Sequence, residues 1–148
     1  MSAPLATGTA AVRLSGLPGR GILTARGHHL VVDSPAPLGG PNEELNPLDL
    51  LLGALAACGT FVCERAAQER GIRLEAIAVT AAGDFDPRGV CGDPVDPRLQ
   101  AVRVRLELRG PTPAEAEALV AAFQTRCPVY TTLARATALS VEAVVEEL

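Results

Sequence analysis

The chain has 148 residues, 48% apolar and 20% charged, a composition that packs one core and excludes a disordered or low-complexity protein. Thirteen basic against seventeen acidic side chains leave a net charge of −4, and the aromatic residues are three Phe and one Tyr, so the chain offers nucleic acid neither a basic field nor a stacking platform. All thirteen basic residues are arginine, which excludes Schiff-base, pyridoxal-lysine and phosphate-loop lysine chemistry.

Residues 1–8, MSAPLATG, have neither a cationic n-region nor a continuous apolar stretch, which predicts no secretory signal and a cytoplasmic location. Residues 1–9 read as a flexible leader and 10–148 as a single domain. Ala11–Leu14, Gly21–Arg26 and His28–Asp33 are short β-like runs, punctuated by Gly16, Pro18 and Gly19, and predict a small antiparallel meander. The segment SPAPLGGPNEE, 34–44, is too rich in Pro and Gly for ladder or helix and predicts a loop long enough to have a role of its own.

A helix then runs to Arg70. Asn46 can accept from the free N–H groups of its first turn, Pro47 fits N1, Asp49 complements the dipole and Gly71 ends it. Its first half, LLLGALAAC (50–58), is apolar nearly all round, whereas Glu64, Arg65, Gln68, Glu69 and Arg70 form a wet face; the first half is expected to be buried on all sides. Nine apolar positions fall short of the ~20 that cross a bilayer, so no membrane association is expected.

Glu75–Asp84 and Gln100–Arg109 alternate as strands, the second half-buried and antiparallel. Between them DPRGVCGDPVDP, 86–97, makes a long exposed connection. Thr112, Pro113 and Glu115 spell a capping box that opens a helix to about Gln124. Cys127–Pro128 opens a short helix ending near Ala138, and Leu139–Val145 reads as a closing strand. Helices that do not alternate regularly with strands give an α+β fold.

His28 and His29 are the only histidines, and neighbours in a strand face opposite ways, so no histidine metal centre is expected. Interest falls on Cys58, Cys63, Cys91 and Cys127, whose spacing matches no zinc site. At about 100° per residue, Cys58 shares a helix face with Leu51, Ala54, Leu55, Phe61 and Val62, and its plainest reading is a small core residue. Cys63 lies roughly 140° further round and cannot cooperate with Cys58 within the helix. Cys91, in a Gly/Pro loop, reads as exposed and incidental. Cys127, placed to cap a helix beside Arg126, meets unpaired N–H groups and the positive dipole end, surroundings that favour thiolates.

The segment NPLDLLLGALAACGTF (46–61) with Cys58, the segment TRCPVYTTL (125–133) with Cys127, and the separation of 69 positions between the two cysteines resemble the OsmC/Ohr family of osmotically inducible and organic-hydroperoxide-resistance proteins. The flanking HHLVVDSPAPLGGPNEELNP agrees, and the resemblance covers about residue 20 to the end. It implies an α+β fold of two intertwined chains, with sheets wrapped around central cysteine helices and sites at the dimer interface. It further implies a cofactor-free thiol peroxidase: Cys58 attacks an organic hydroperoxide, Cys127 resolves the sulfenic acid as a disulfide, and an external dithiol, a dihydrolipoyl group or thioredoxin, resets the pair. An arginine of the N-terminal strand region holds the thiolate; Arg20 matches that place best, with Arg26 next. One departure stands out. The family's peroxidases carry a glutamate directly after the NP dipeptide, where this chain has Leu48, and Asp49 follows one position later, nine residues and half a turn away from Cys58 on the helix. Glu43 and Glu44 are the candidate substitutes. The acidic-Leu-Leu-Leu pattern 49–52 is similar to a less characterised OsmC-like branch, whose alternative role is to bind a small apolar or electrophilic ligand or to sense thiol redox state.

Overall fold

A computed structural model describes residues 3–135. Residues 3–10 are exposed and carry no regular structure. Three strands follow, β1 (Ala11–Leu14), β2 (Arg20–Ala25) and β3 (His28–Asp33), forming an antiparallel sheet in the order β1-β2-β3. Arg26, expected to end the second strand, instead lies at φ 50° in a two-residue turn with Gly27 at φ 80°, the left-handed pair a tight hairpin needs. That turn fixes the register: Ala25 pairs with His28 and, five steps out, Arg20 pairs with Asp33. The loop that follows is mostly irregular, as its prolines require, but contains a short 3₁₀ turn at Ala36–Leu38. Three residues close a 3₁₀ turn without a ladder, which a Pro-rich segment accommodates.

Helix α1 spans Pro47–Arg70, 24 residues. Its start is built as the sequence predicts: Asn46 Oδ1 accepts from the N–H groups of Leu48 and Asp49 at 2.9 and 3.0 Å. Asp49 Oδ2 accepts the Asn46 N–H at 3.0 Å in return, a reciprocal cap. Gly71, at φ 65°, ends it. Strands β4 (Ala76–Asp84) and β5 (Ala101–Arg109) form a second sheet. The Glu75 N–H to Arg109 carbonyl and Gln100 N–H to Asp84 carbonyl bonds at its two ends make it antiparallel. The connection between them is largely exposed and holds one 3₁₀ turn, Gly89–Cys91. Helix α2 (Pro113–Arg126) opens on the predicted capping box, with the Thr112 N–H donating to Glu115 Oε2 at 2.7 Å and the Glu115 N–H to Thr112 Oγ1 at 3.3 Å. Helix α3 (Pro128–Ala134) follows at once. The closing strand expected at 139–145 lies outside the described residues.

The fold is thus mixed α+β. The described residues form two compact units, one made of residues 3–53 with Ala81–Arg103, the other of Ala54–Thr80 with residues 104–135. The second holds the helical core. Leu55, Gly59, Cys63, Ala66 and Ala67 are the buried stripe of α1, and Leu119, Ala122 and Phe123 that of α2. Small residues at four-residue spacing let the helices approach closely: a Cβ on Gly59 would meet the Phe123 ring at 3.2 Å, and the Cys63 thiol donates to the Leu119 carbonyl at 3.6 Å. As α1 advances from 59 to 63, α2 retreats from 123 to 119, so the pair is antiparallel.

The expectation that the first half of α1 is buried on all sides is not met within the chain. Leu55 is 1% exposed, but Leu51 is 37% and Phe61 66% exposed. In the first unit, β1 likewise leaves Val12 and Leu14 bare, at 60% and 78%. The sequence places an apolar surface on these elements, but one copy of the chain does not cover it. Nine consecutive apolar positions also understate the helix, since α1 is long and apolar enough to cross a bilayer on length and composition alone.

Candidate functional site

Cys127 connects α2 to α3. Its N–H donates to the Phe123 carbonyl at 3.1 Å, ending α2, and its sulfur accepts the Tyr130 N–H at 3.3 Å, capping α3. Pro128 follows at N1, where no N–H is needed. The Thr131 N–H and hydroxyl both return to the Cys127 carbonyl, at 3.0 and 2.9 Å. The Phe123 and Tyr130 rings meet edge to face with centroids 5.1 Å apart, locking the short helix onto α2. Cys127 is fully buried.

The antiparallel register that pairs Gly59 with Phe123 and Cys63 with Leu119 brings Cys127, four residues beyond Phe123, to the level of Leu55 and Cys58. The two thiols, 69 residues apart in sequence, lie near enough to influence each other's ionisation, with the Val129 N–H in the same neighbourhood. Both are free. Cys58 is half-buried at the edge of the buried stripe. Burial first, and the Cys127 thiol second, push its thiol up to about 11, while the Val129 N–H pulls it the other way. Desolvation disfavours the thiolate, so this environment within one chain does not activate Cys58. Cys63 is buried, its thiol also raised by burial, and it serves packing. Cys91 is exposed. Arg126, beside Cys127 in sequence, directs its guanidinium to Glu69 at 2.7 Å; Arg126 first and Arg65 second hold the Glu69 carboxyl down to about 2. That pair ties the end of α2 to the end of α1.

Arg20 belongs to the first unit, at the β2 end of the hairpin. Its Nε and Nη2 donate to the two carboxylate oxygens of Asp33, each at 2.7 Å, and Nη2 also donates to Glu43 at 2.8 Å. Asp33 is buried and accepts further N–H bonds from Glu43 and Glu44, at 3.0 and 3.1 Å. The bidentate Arg20 contact holds the Asp33 carboxyl well below the ordinary carboxylate range and raises the Arg20 guanidinium. Asp49 is engaged in capping α1. Glu44 contributes its backbone N–H to Asp33, and among the described residues its carboxylate has no ion pair. Arg26 is exposed in the hairpin turn. Of the predicted residues, the structure therefore brings Cys58 to Cys127, and Arg20 to Glu43.

Asp33 was not singled out from the sequence. Its signal was there: an acid ending an apolar strand, five steps from a two-residue turn, faces whatever begins the preceding strand. The first unit also contains a cavity of about 440 Å³ lined by Leu38, Leu48, Leu51, Phe85, Val90 and Leu99, with Ser34 and Asn46 as its polar members. Leu48, where the resemblance leads one to expect a glutamate, faces this apolar space. Among the described residues no three His, Cys, Asp or Glu side chains converge as metal ligands.

A mixed α+β protein with two neighbouring free thiols, one in a long helix and one capping a short one, is the class that this geometry defines. A family model described as OsmC-like protein matches residues 40–142. The chain belongs to that family. Among solved structures, it is similar to an OsmC-like protein from Mycoplasma pneumoniae, with 18% identity over 88% of this chain and 89% of that one and a TM-score of 0.75. It is similar also to an organic hydroperoxide resistance protein OsmC from Legionella pneumophila, with 28% identity, 88% and 91% coverage and a TM-score of 0.67. An organic hydroperoxide resistance protein from Elizabethkingia anophelis, with thiocyanate bound, has 22% identity, 87% and 89% coverage and a TM-score of 0.68. No curated protein matches the chain.

Proposed function

We propose that the protein is a homodimeric, cofactor-free thiol peroxidase of the cytoplasm that reduces organic hydroperoxides. The Cys58 thiolate attacks the distal oxygen of the hydroperoxide. The O–O bond breaks, the alkoxide leaves as the alcohol after taking a proton, and Cys58 becomes a sulfenic acid. The Cys127 thiol then attacks the Cys58 sulfur, water departs, and a Cys58–Cys127 disulfide forms. An external dithiol reduces that bond by exchange through a mixed disulfide. The observation that carries this reading is the pair of free thiols that the antiparallel seating of α1 and α2 brings into one neighbourhood.

Two observations support the dimer. The apolar exposure of Leu51 and Phe61 on α1, and of Val12 and Leu14 on β1, is the kind of surface that proteins cover with a partner; a second copy is the occupant the family resemblance implies. And the immediate surroundings of Cys58 disfavour its thiolate, so the thiolate needs a positive charge beyond them, which the family resemblance assigns to Arg20 of the second copy. The preference for organic hydroperoxides follows the family resemblance and the apolar residues that surround Cys58 on its helix face, Leu51, Ala54, Leu55, Phe61 and Val62.

The test is intact mass and peptide mapping of the reduced protein after one equivalent of cumene hydroperoxide, against the same dose of hydrogen peroxide. The expected result is loss of two hydrogens mapped to Cys58–Cys127, faster with the organic peroxide, and abolished in Cys58→Ser. If both thiols stay reduced, the reading fails. The cavity, with Leu48 in its wall, then favours the second reading, a protein that binds a small apolar or electrophilic ligand or senses thiol redox state.

A further inference from the structure

The two carboxylates on Arg20 are held very differently. Asp33 has no exposed side-chain surface and accepts four hydrogen bonds, two from Arg20 and two from the N–H groups of Glu43 and Glu44. Its own N–H donates to the Leu45 carbonyl, and the Ser34 N–H to the Gly19 carbonyl. Moving Asp33 strands several buried donors at once. Glu43 has a side chain 71% exposed and makes a single contact, with Nη2. It can leave without cost to the interior.

The guanidinium has five N–H groups. Nε uses its one and Nη2 both of its own, on Asp33 and Glu43; the two on Nη1 have no partner among the described residues. Arg20 therefore keeps a donor edge open. Its charge is another matter. The Arg20 guanidinium itself touches two carboxylates, from β3 and from the loop; Arg13 of β1 is on the same sheet face but pairs with neither carboxylate, so Arg20 is overcompensated by its own contacts while Glu43 stays. An anion reaching Nη1 gains full attraction only once Glu43 has moved away.

We propose that Glu43 is the displaceable counter-ion of Arg20: it occupies the guanidinium when no anion is there, yields it to the Cys58 thiolate of the second copy, and so limits how much thiolate the resting protein holds. Glu43 is a positioning residue in this account, Asp33 being the fixed mount that aims the arginine. The proposal rests on the peroxidase reading above for the identity of the anion.

Glu43→Gln isolates the effect, because the variant keeps the backbone N–H to Asp33 and retains an oxygen for Nη2 while losing the charge. The measurement is the rate of Cys58 alkylation by iodoacetamide, followed by peptide mapping of the full-length reduced protein from about pH 6 to 9.5, with disulfide formation by cumene hydroperoxide alongside. In Glu43→Gln, alkylation at pH 7 is expected to rise about three- to tenfold, with the midpoint of the pH profile moving down by up to about one unit. Glu43→Asp, with its charge retained, is expected to stay near the parent. Combined with Arg20→Gln, the Glu43→Gln rise is expected to vanish. A Glu43→Gln rate within twofold of the parent, a slower one, or a rise that persists without Arg20 overturns the proposal. If the parent forms no disulfide with peroxide while the alkylation pattern holds, the peroxidase reading fails and the role of Glu43 stands.

Discussion

Replacing Arg20 with Gln tests the central weakness of Cys58 as a nucleophile. The surroundings of Cys58 push its thiol up to about 11, chiefly by burial, so the thiolate is a small minority at pH 7. The sign follows from the cause: burial opposes the charged form, and reactivity climbs with pH until the thiol ionises. A neighbouring guanidinium acts oppositely. Restoring Cys58 merely to the ordinary thiol value of 9.0 multiplies the thiolate at pH 7 about a hundredfold, and any further lowering adds tenfold per unit. Arg20→Gln is therefore expected to cost about a hundredfold or more in Cys58 alkylation at pH 7 and to move the midpoint of the rate profile up toward about 11. Exposed Cys91 in the same digest serves as the internal control. Sedimentation of the variant shows whether the dimer persists, separating lost charge from lost assembly. An Arg20→Gln protein that assembles and titrates Cys58 as the parent does refutes the assignment of Arg20.

Cys127→Ser removes the resolving thiol, and the expected outcome is a single peroxide turnover followed by sulfinic and sulfonic acid at Cys58, read by mass; sustained cycling with dithiol would make Cys127 dispensable. Phe61→Glu sets a charge on the most exposed large apolar side chain of α1 and is expected to yield monomer in sedimentation at micromolar concentration, with loss of peroxide consumption. Phe123→Ala empties the space facing Gly59 and removes the edge-to-face contact with Tyr130. It is expected to lower unfolding stability by about 3–5 kcal/mol in a denaturant titration and to slow closure of the Cys58–Cys127 bond.

What could be read from the sequence was what local chemistry decides. The Asn46–Pro47 start of α1, its Gly71 end, and the Thr112–Glu115 box each satisfy backbone groups within a few residues, so pattern and structure agree there. Cys127 as the cap of a short helix belongs to the same class. The thiol pair does not. A helical projection relates Cys58 to Cys63 but contains nothing of α2, and the meeting of Cys58 with Cys127 depends on the antiparallel seating of Phe123 in the notch left by Gly59. Only the family resemblance brought the two together in advance. The burial expected of the first half of α1 is not met within one chain for a related reason: an apolar pattern reports that a surface needs covering, and the covering falls to other elements or to another chain.

The Leu48 departure bears on the mechanism once the Arg20 cluster is considered. A carboxylate at position 48 would lie in the wall of a mostly apolar cavity and would carry a desolvation cost. The carboxylates that engage Arg20 come instead from the two ends of the Pro-rich loop, where Asp33 is satisfied by four donors and Glu43 faces solvent. Arg20 is thereby oriented by a group that cannot move and neutralised by one that can, while the space beside the start of α1 is left apolar. Such a division keeps the positive charge available without demanding a buried acid next to an alkyl group. It also predicts that Leu48→Glu, which supplies the glutamate that the family's peroxidases carry there, leaves Arg20 paired as before and impairs the use of bulky hydroperoxides. Cumene hydroperoxide turnover falling relative to hydrogen peroxide in Leu48→Glu is the expected result, and a general gain in rate would show that the carboxylate position, and not the loop acids, governs the arginine.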